Sequence, residues 1–132
     1  MHSVLIIDDE KSVLDILQEI LANFGYDVET ASGGLEGLRI FERRTFDIVI
    51  TDIRMPGIDG HNVARQIRKS DRPDTPIIAI SGTPWLMDDS EFDSTICKPF
   101  DIQSLLHTIK ELPLNHSGSD ADKLYVNELS SK

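Results

Sequence analysis

Hydrophobic positions along the chain follow two different periods. Val4 to Ile7, Ile48 to Thr51 and Ile77 to Ile80 are short unbroken runs of apolar or β-branched residues. Continuous apolarity over strand length suits a parallel strand covered on both faces. Between these runs the spacing turns helical. Val13, Leu14, Ile16, Leu17, Ile20, Leu21 and Phe24 mark a first helix, and Gly25 stands at its C-terminal cap. Tyr26 to Ala31 reads as a second, more polar strand suited to a sheet edge. Ser32 can cap a second helix bearing Leu35, Leu38, Ile40 and Phe41, whose start Gly33, Gly34 and Gly37 weaken. A third helix after Asp59-Gly60 turns Val63, Ala64 and Ile67 inward and Arg65, Arg68 and Lys69 outward. Thr83-Pro84 opens a short fourth helix ending near Glu91. Thr95 to Cys97 forms a brief fifth strand, and Asp101 caps a last helix with Ile102, Leu105, Leu106 and Ile109.

Strand and helix thus alternate five times. The pattern predicts an α/β fold, a doubly wound five-stranded parallel sheet with helices on both faces and right-handed crossovers. The favoured strand order is 2-1-3-4-5, the flavodoxin-like arrangement. After Pro113 the composition shifts to Ser, Asp and Gly. The expected division is therefore a domain over residues 1–112 and a polar linker or tail over 113–132.

The predicted sheet gathers chemistry at one edge. Asp52 ends the third strand just before the turn Met55-Pro56-Gly57, and Asp8-Asp9-Glu10 ends the first. Ser81-Gly82 follows the fourth strand, and Lys98-Pro99 the fifth. In open α/β sheets, ligands bind at the carboxyl ends of the strands. Asp8, Asp9 and Asp52 crowded together repel one another, which raises the pKa of at least one. A hard divalent cation relieves the conflict, and oxygen ligands favour magnesium or manganese over zinc. With the Lys98 ammonium opposite and the Ser81 hydroxyl nearby, the pocket suits in-line attack by the Asp52 carboxylate on phosphorus.

The whole set of motifs resembles the receiver domain of two-component response regulators, of the chemotaxis-regulator kind. The resemblance rests on Ile6-Ile7-Asp8-Asp9-Glu10, on Asp47 to Gly60, on Ile80-Ser81-Gly82 and on Lys98-Pro99-Phe100, and spans about residues 3 to 112. It implies that Asp52 accepts a phosphoryl group from a phosphohistidine of a sensor histidine kinase or phosphotransfer domain. It implies Mg2+ held by Asp9, Asp52 and the backbone carbonyl of Arg54, with Asp8 acting mainly through water. Ser81 would be the hydroxyl switch, Lys98 the phosphate's ion-pair partner, and the Lys98-Pro99 bond cis. No turnover enzyme is implied, only self-catalysed aspartyl phosphorylation and dephosphorylation.

Two departures from that family stand out. Thr95 occupies the position, three before the lysine, where the family commonly carries an aromatic switch. The stretch between Ser81 and Lys98 is short and carries Asp88, Asp89, Glu91 and Asp93. The usual output and dimer face should therefore be truncated and acidic, and a monomer or weak dimer is expected. Two other classes fit less well. A flavin carrier needs Ser, Thr or Gly donors where this chain has Asp8-Asp9-Glu10. An aspartyl phosphohydrolase needs a second acid where Arg54 stands, and an insertion to cap its substrate. A degenerate receiver acting by binding alone, or a receiver cut from a larger regulator, stays open.

Charge and composition narrow the partners. The chain has 132 residues and a net charge of −10, so it offers no basic footprint for nucleic acid. No apolar run reaches the roughly 20 residues of a membrane span, and no signal-peptide pattern precedes the first strand, so a cytoplasmic location is the expectation. The single cysteine, Cys97, reads as a small core residue. His2, His61, His107 and His116 have no partners at ligand spacing and read as surface residues. Met55 and Trp85 read as packing residues.

Overall fold

A computed structural model of the chain describes residues 2–83 and 91–112. The predicted fourth helix, Trp85, His116 and the predicted tail lie outside the described residues. The strands are β1 (Ser3–Ile7), β2 (Asp27–Ala31), β3 (Ile48–Asp52), β4 (Ile77–Ser81) and β5 (Ser94–Cys97). The described helices are α1 (Lys11–Asn23), α2 (Gly34–Arg43), α3 (Gly60–Arg68) and α4 (Ile102–Glu111). All four strand pairings are parallel, and the order is β2-β1-β3-β4-β5, as the alternation predicts.

Alternate residues of a strand point to opposite faces, and the sheet sorts its core that way. Leu5, Ile7, Val49, Ile77 and Ala79 meet Phe41 of α2 and Val63, Ala64 and Ile67 of α3. Val4, Ile6, Ile48, Ile50, Ile78 and Ile80 meet Leu14, Leu17 and Leu21 of α1 and Leu105 and Ile109 of α4. Met55 belongs to the first layer, in line with a packing role. Gly25 has φ 91, a conformation open to glycine, and its N–H bonds the Ala22 carbonyl to close α1. The edge strand β2 carries acids on its outer rim, and Arg44 bridges Asp27 at 2.8 Å and Glu29 at 3.5 Å.

Several expectations are corrected. The buried stripe of α1 is narrower than its apolar spacing suggests. Ile16 lies about 200° around the helix from Leu14, and it stays 55% exposed, as Phe24 does at 60%. Gly33, not Ser32, is the N-cap of α2; the Ser32 hydroxyl instead binds the Glu36 carboxylate at 2.8 Å. The glycines at the start of α2 have a packing reason. A Cβ on Gly34 would meet the Ile58 carbonyl oxygen, and one on Gly37 would meet the Ile7 side chain. Cys97 is exposed, because β5 is an edge strand whose inward residue is Ile96.

Arg68 does not face outward. Its guanidinium donates to the carbonyls of Pro73, Thr75 and Glu91 at 2.7 Å each and to the Asp93 carboxylate at 2.8 Å. Asp93 also accepts from Ile77 N at 2.7 Å, so one side chain ties α3 to the starts of β4 and β5. Two histidines are likewise less free than the sequence suggests. His2 lies 3.7 Å from Asp47 and against Tyr26, and the His61 ring stacks near Phe92. His107 is exposed and pairs with Glu111.

Candidate functional site

Register brings the site together. Ile7 pairs with Thr51, so Asp8 and Asp52 are the next residues on neighbouring strands. Asp52 pairs with Ile80, and Ser81 with Cys97, so Ser81 and Lys98 arrive at the same edge. Asp8, Asp52 and Ser81 are buried at 3%, 7% and 1% exposure, so none can rely on bulk water.

Lys98 is the hub of this edge. Its Nζ lies 3.3 Å from Asp8 Oδ2, 3.5 Å from Asp52 Oδ2 and 3.6 Å from Glu10 Oε1. Asp52 Oδ1 accepts from Ile53 N at 2.8 Å, and Asp8 Oδ1 from Glu10 N at 2.9 Å. Burial pushes the Asp52 carboxyl up to about 6, the neighbouring Asp8 charge pushes the same way, and Lys98 and Ile53 N only partly offset them. Burial likewise raises Asp8. For Lys98, burial works against the charged form, but Asp8 and Asp52 together outweigh it and hold the ammonium above its usual value.

Ser81 is engaged by its own loop and by β5. Its Oγ contacts the Thr83 hydroxyl at 2.7 Å and accepts from Thr83 N at 3.0 Å, while its carbonyl accepts from Lys98 N at 2.9 Å. The Lys98-Pro99 peptide is cis. Arg54 is exposed and lines a cleft of about 480 Å³ with Ile53, Met55, Pro56, Asp59 and His61. On the far side, Gly60 begins α3 directly against Asp52. A Cβ there would meet the Asp52 carbonyl oxygen and the Ile53 backbone.

Among the described residues, the one acidic group able to hold a metal is Asp8, Glu10 and Asp52, whose ligand oxygens lie within 4.8 Å of one another. Asp9 is exposed and outside that group, whereas Glu10, which sequence reasoning passed over, is inside it. The signal was present, since Glu10 directly follows the Asp8-Asp9 pair. The donor set fits a hard divalent cation: two buried carboxylates with raised pKa values and a third beside them share one ammonium. No zinc-type sulfur or imidazole ligand is in the cluster.

Residues 4–110 match the family model described as the response regulator receiver domain. The chain belongs to the response regulator receiver family. This receiver is 37% identical over 121 residues to a protein named probable transcriptional regulator ycf27 from Cyanidium caldarium, covering 83% of the chain and 48% of that protein. It is 30% identical over 118 residues to the DNA-binding dual master transcriptional regulator RpaA of Synechocystis, covering 85% of the chain and 49% of that protein. The receiver therefore spans about half the length of these curated relatives. Among solved structures it is similar to the response regulator TrrA of Thermotoga maritima, determined in complex with Mg2+ and BeF. That match has a TM-score of 0.77 and 35% identity, covering 83% of the chain and 97% of TrrA. TrrA has also been solved in complex with the histidine kinase ThkA. The receiver is flavodoxin-like in fold, and no described helix is long and apolar enough to cross a membrane.

Proposed function

We propose that the receiver accepts a phosphoryl group on Asp52 from a phosphohistidine of a sensor histidine kinase or phosphotransfer domain. A carboxylate oxygen of Asp52 attacks phosphorus, the phosphorus–nitrogen bond breaks, and the histidine nitrogen leaves with the electron pair. Lys98, now between Asp8 and Asp52, turns its charge to a phosphoryl oxygen. Ser81 exchanges its Thr83 contact for the phosphoryl group. Mg2+ supplies positive charge that neutralises the phosphoryl oxygens. Following the family resemblance, Asp52, Asp9 and the Arg54 carbonyl would hold it, with Asp8 acting through water and Glu10 beside the site. Water later attacks phosphorus, the phosphorus–oxygen bond to Asp52 breaks, and inorganic phosphate leaves the carboxylate restored.

One observation carries this reading. Lys98 reaches Asp8 at 3.3 Å and Asp52 at 3.5 Å at the carboxyl edge of the sheet, so two buried acids and one cation converge where a ligand enters. A solved complex of TrrA with a histidine kinase supports the choice of partner, since TrrA is 35% identical. The same reading places the receiver in residues 1–112 with a linker or tail beyond, puts it in the cytoplasm, and expects a monomer or weak dimer. Partial coverage of longer transcriptional regulators supports a role as the input module of such a regulator.

Intact mass after incubation with Mg2+ and acetyl phosphate tests the chemistry. One added phosphoryl group, lost in Asp52→Asn and on chelation, is the expected result. A phosphoryl group that persists in Asp52→Asn would overturn it.

A further inference from the structure

A groove runs between α2 and α3, far from the carboxyl cluster in chemistry though it shares α3 with it. Its volume is about 590 Å³. The floor is apolar. Leu35 is 52% exposed there, and Leu38 and Ile58 are only partly buried. Arg39 and Lys69 stand on opposite walls, with Glu42 as the one acid between them.

Charge is distributed unevenly around this groove. The chain carries −10 overall, yet eight of its 13 lysines and arginines fall between residues 39 and 72. Arg44, Arg68 and Arg72 are tied inward, to Asp27, to Asp93 and to the carbonyls of Phe41 and Arg44. Arg39 and Arg43 on α2, and Arg65 on α3 with Lys69 at its C-cap, are exposed and spaced four apart. Each pair makes a stripe on its helix. Arg65 donates to Asn62 on the groove wall, which keeps its charge beside the rim.

We infer that the α2–α3 groove docks an acidic amphipathic helix of a protein partner. The apolar floor takes the partner's hydrophobic stripe, and Arg39 and Lys69, with Arg65 beside the rim, take its acids. A helix fits better than an extended segment. Both walls are helices whose backbone bonds are internal, so no strand edge is offered for main-chain pairing. Walls of nine and ten residues give a trough about 15 Å long, or about three turns of an occupant. Nucleic acid fits less well, because the floor offers phosphate nothing and the rest of the molecule repels it. The inference does not depend on the phosphoryl chemistry at Asp52.

The test uses the full chain and a labelled 14-residue peptide with leucines on one helical face and glutamates elsewhere. A matching peptide with lysines for glutamates is the control. Anisotropy should show binding of the acidic peptide only, weakened about tenfold by Arg39→Glu with Lys69→Glu and weakened several-fold as salt rises to about 0.3 M. Amide shifts should cluster on Leu35, Leu38, Ile58 and Gln66. Both substituted side chains are exposed, and an unchanged melting temperature verifies that the double variant is folded. Absence of binding, equal binding of the basic peptide, shifts elsewhere, or no loss in the double variant would each overturn the inference. Competition by a DNA duplex, or a concentration-dependent dimer abolished by Leu35→Asp, would give the groove to another occupant and equally refute it.

Discussion

Lys98 Nζ meets Asp52 Oδ2 at 3.5 Å, while the other Asp52 oxygen already accepts a 2.8 Å bond from Ile53 N. Both oxygens of the candidate nucleophile are thus engaged, unequally. The long contact to Lys98 is the one that can yield to phosphorus without disturbing the backbone. Replacing Lys98 by Gln leaves Asp8, Glu10 and Asp52 without their shared cation. In chelator at pH 7.5 that variant should lose about 1–3 kcal/mol by urea unfolding. Mg2+ should restore most of the loss, and it should bind the variant more tightly than the parent because no ammonium competes.

The raised pKa of Asp52 makes stability depend on pH in a definite direction. Its folded value of about 6 exceeds the ordinary 3.8, so the folded state binds the proton more tightly than the unfolded chain. The stabilisation from holding that proton is full below about 3.8 and is lost as pH rises through about 6. Asp52→Asn, which cannot ionise, should therefore stabilise the metal-free receiver by about 3 kcal/mol at pH 7.5 and by almost nothing near pH 4. Parallel urea titrations of the two proteins at the two pH values check this. A gain that is the same at both would show that burial of the charge is not its source.

Asp9 and Glu10 compete for one assignment. The resemblance gives Asp9 to the metal, whereas the geometry puts Glu10 with Asp8 and Asp52. Calorimetric Mg2+ titrations of Asp9→Asn and Glu10→Gln separate them. A direct ligand should cost tenfold or more in affinity, and a neighbour acting only through its charge should cost about two- to fivefold. The expected order is a larger loss for Asp9→Asn.

Gly60 has no room for a side chain where α3 meets the Asp52 carbonyl, whereas Gly33 faces open space. Gly60→Ala should be destabilised by about 2 kcal/mol or more, since the obstacle is backbone. Gly33→Ala should cost less than about 1 kcal/mol, the ordinary loss at an N-cap. Thermal unfolding of both proteins measures the contrast.

Arg68 closes a network rather than decorating a surface. Arg68→Ala should lose about 2–4 kcal/mol, because three carbonyls and Asp93 lose a charged donor together. A cycle with Asp93→Asn should show strong coupling between the two positions.

Arg68 also shows where sequence reading stops. The strands and most helices were legible because their apolar periods differ, and the convergence of Asp8, Asp52, Ser81 and Lys98 followed from strand order alone. Arg68 sits at an outward-looking position of an amphipathic helix, and only the path of residues 72–76 and 91–93 brings acceptors to it. Cys97 looked buried because its neighbours are apolar, but edge position and strand parity decide exposure. Ser32 was one residue early as a cap, since serine and glycine both suit the start of a helix. Glu10 was visible as the residue after the Asp8-Asp9 pair, but it is side-chain reach that brings it, and not its neighbour Asp9, to Asp8 and Asp52.

The acidic rim of β2, bridged by Arg44, has a consequence for assembly. A bare sheet edge invites a visiting strand, and charge along that edge turns it away. The opposite edge, β5, is only four residues long. Neither margin is suited to growth of the sheet from one molecule into the next. Among the described residues, the faces left for a second copy are helices and loops, which offer no template for strand-by-strand growth.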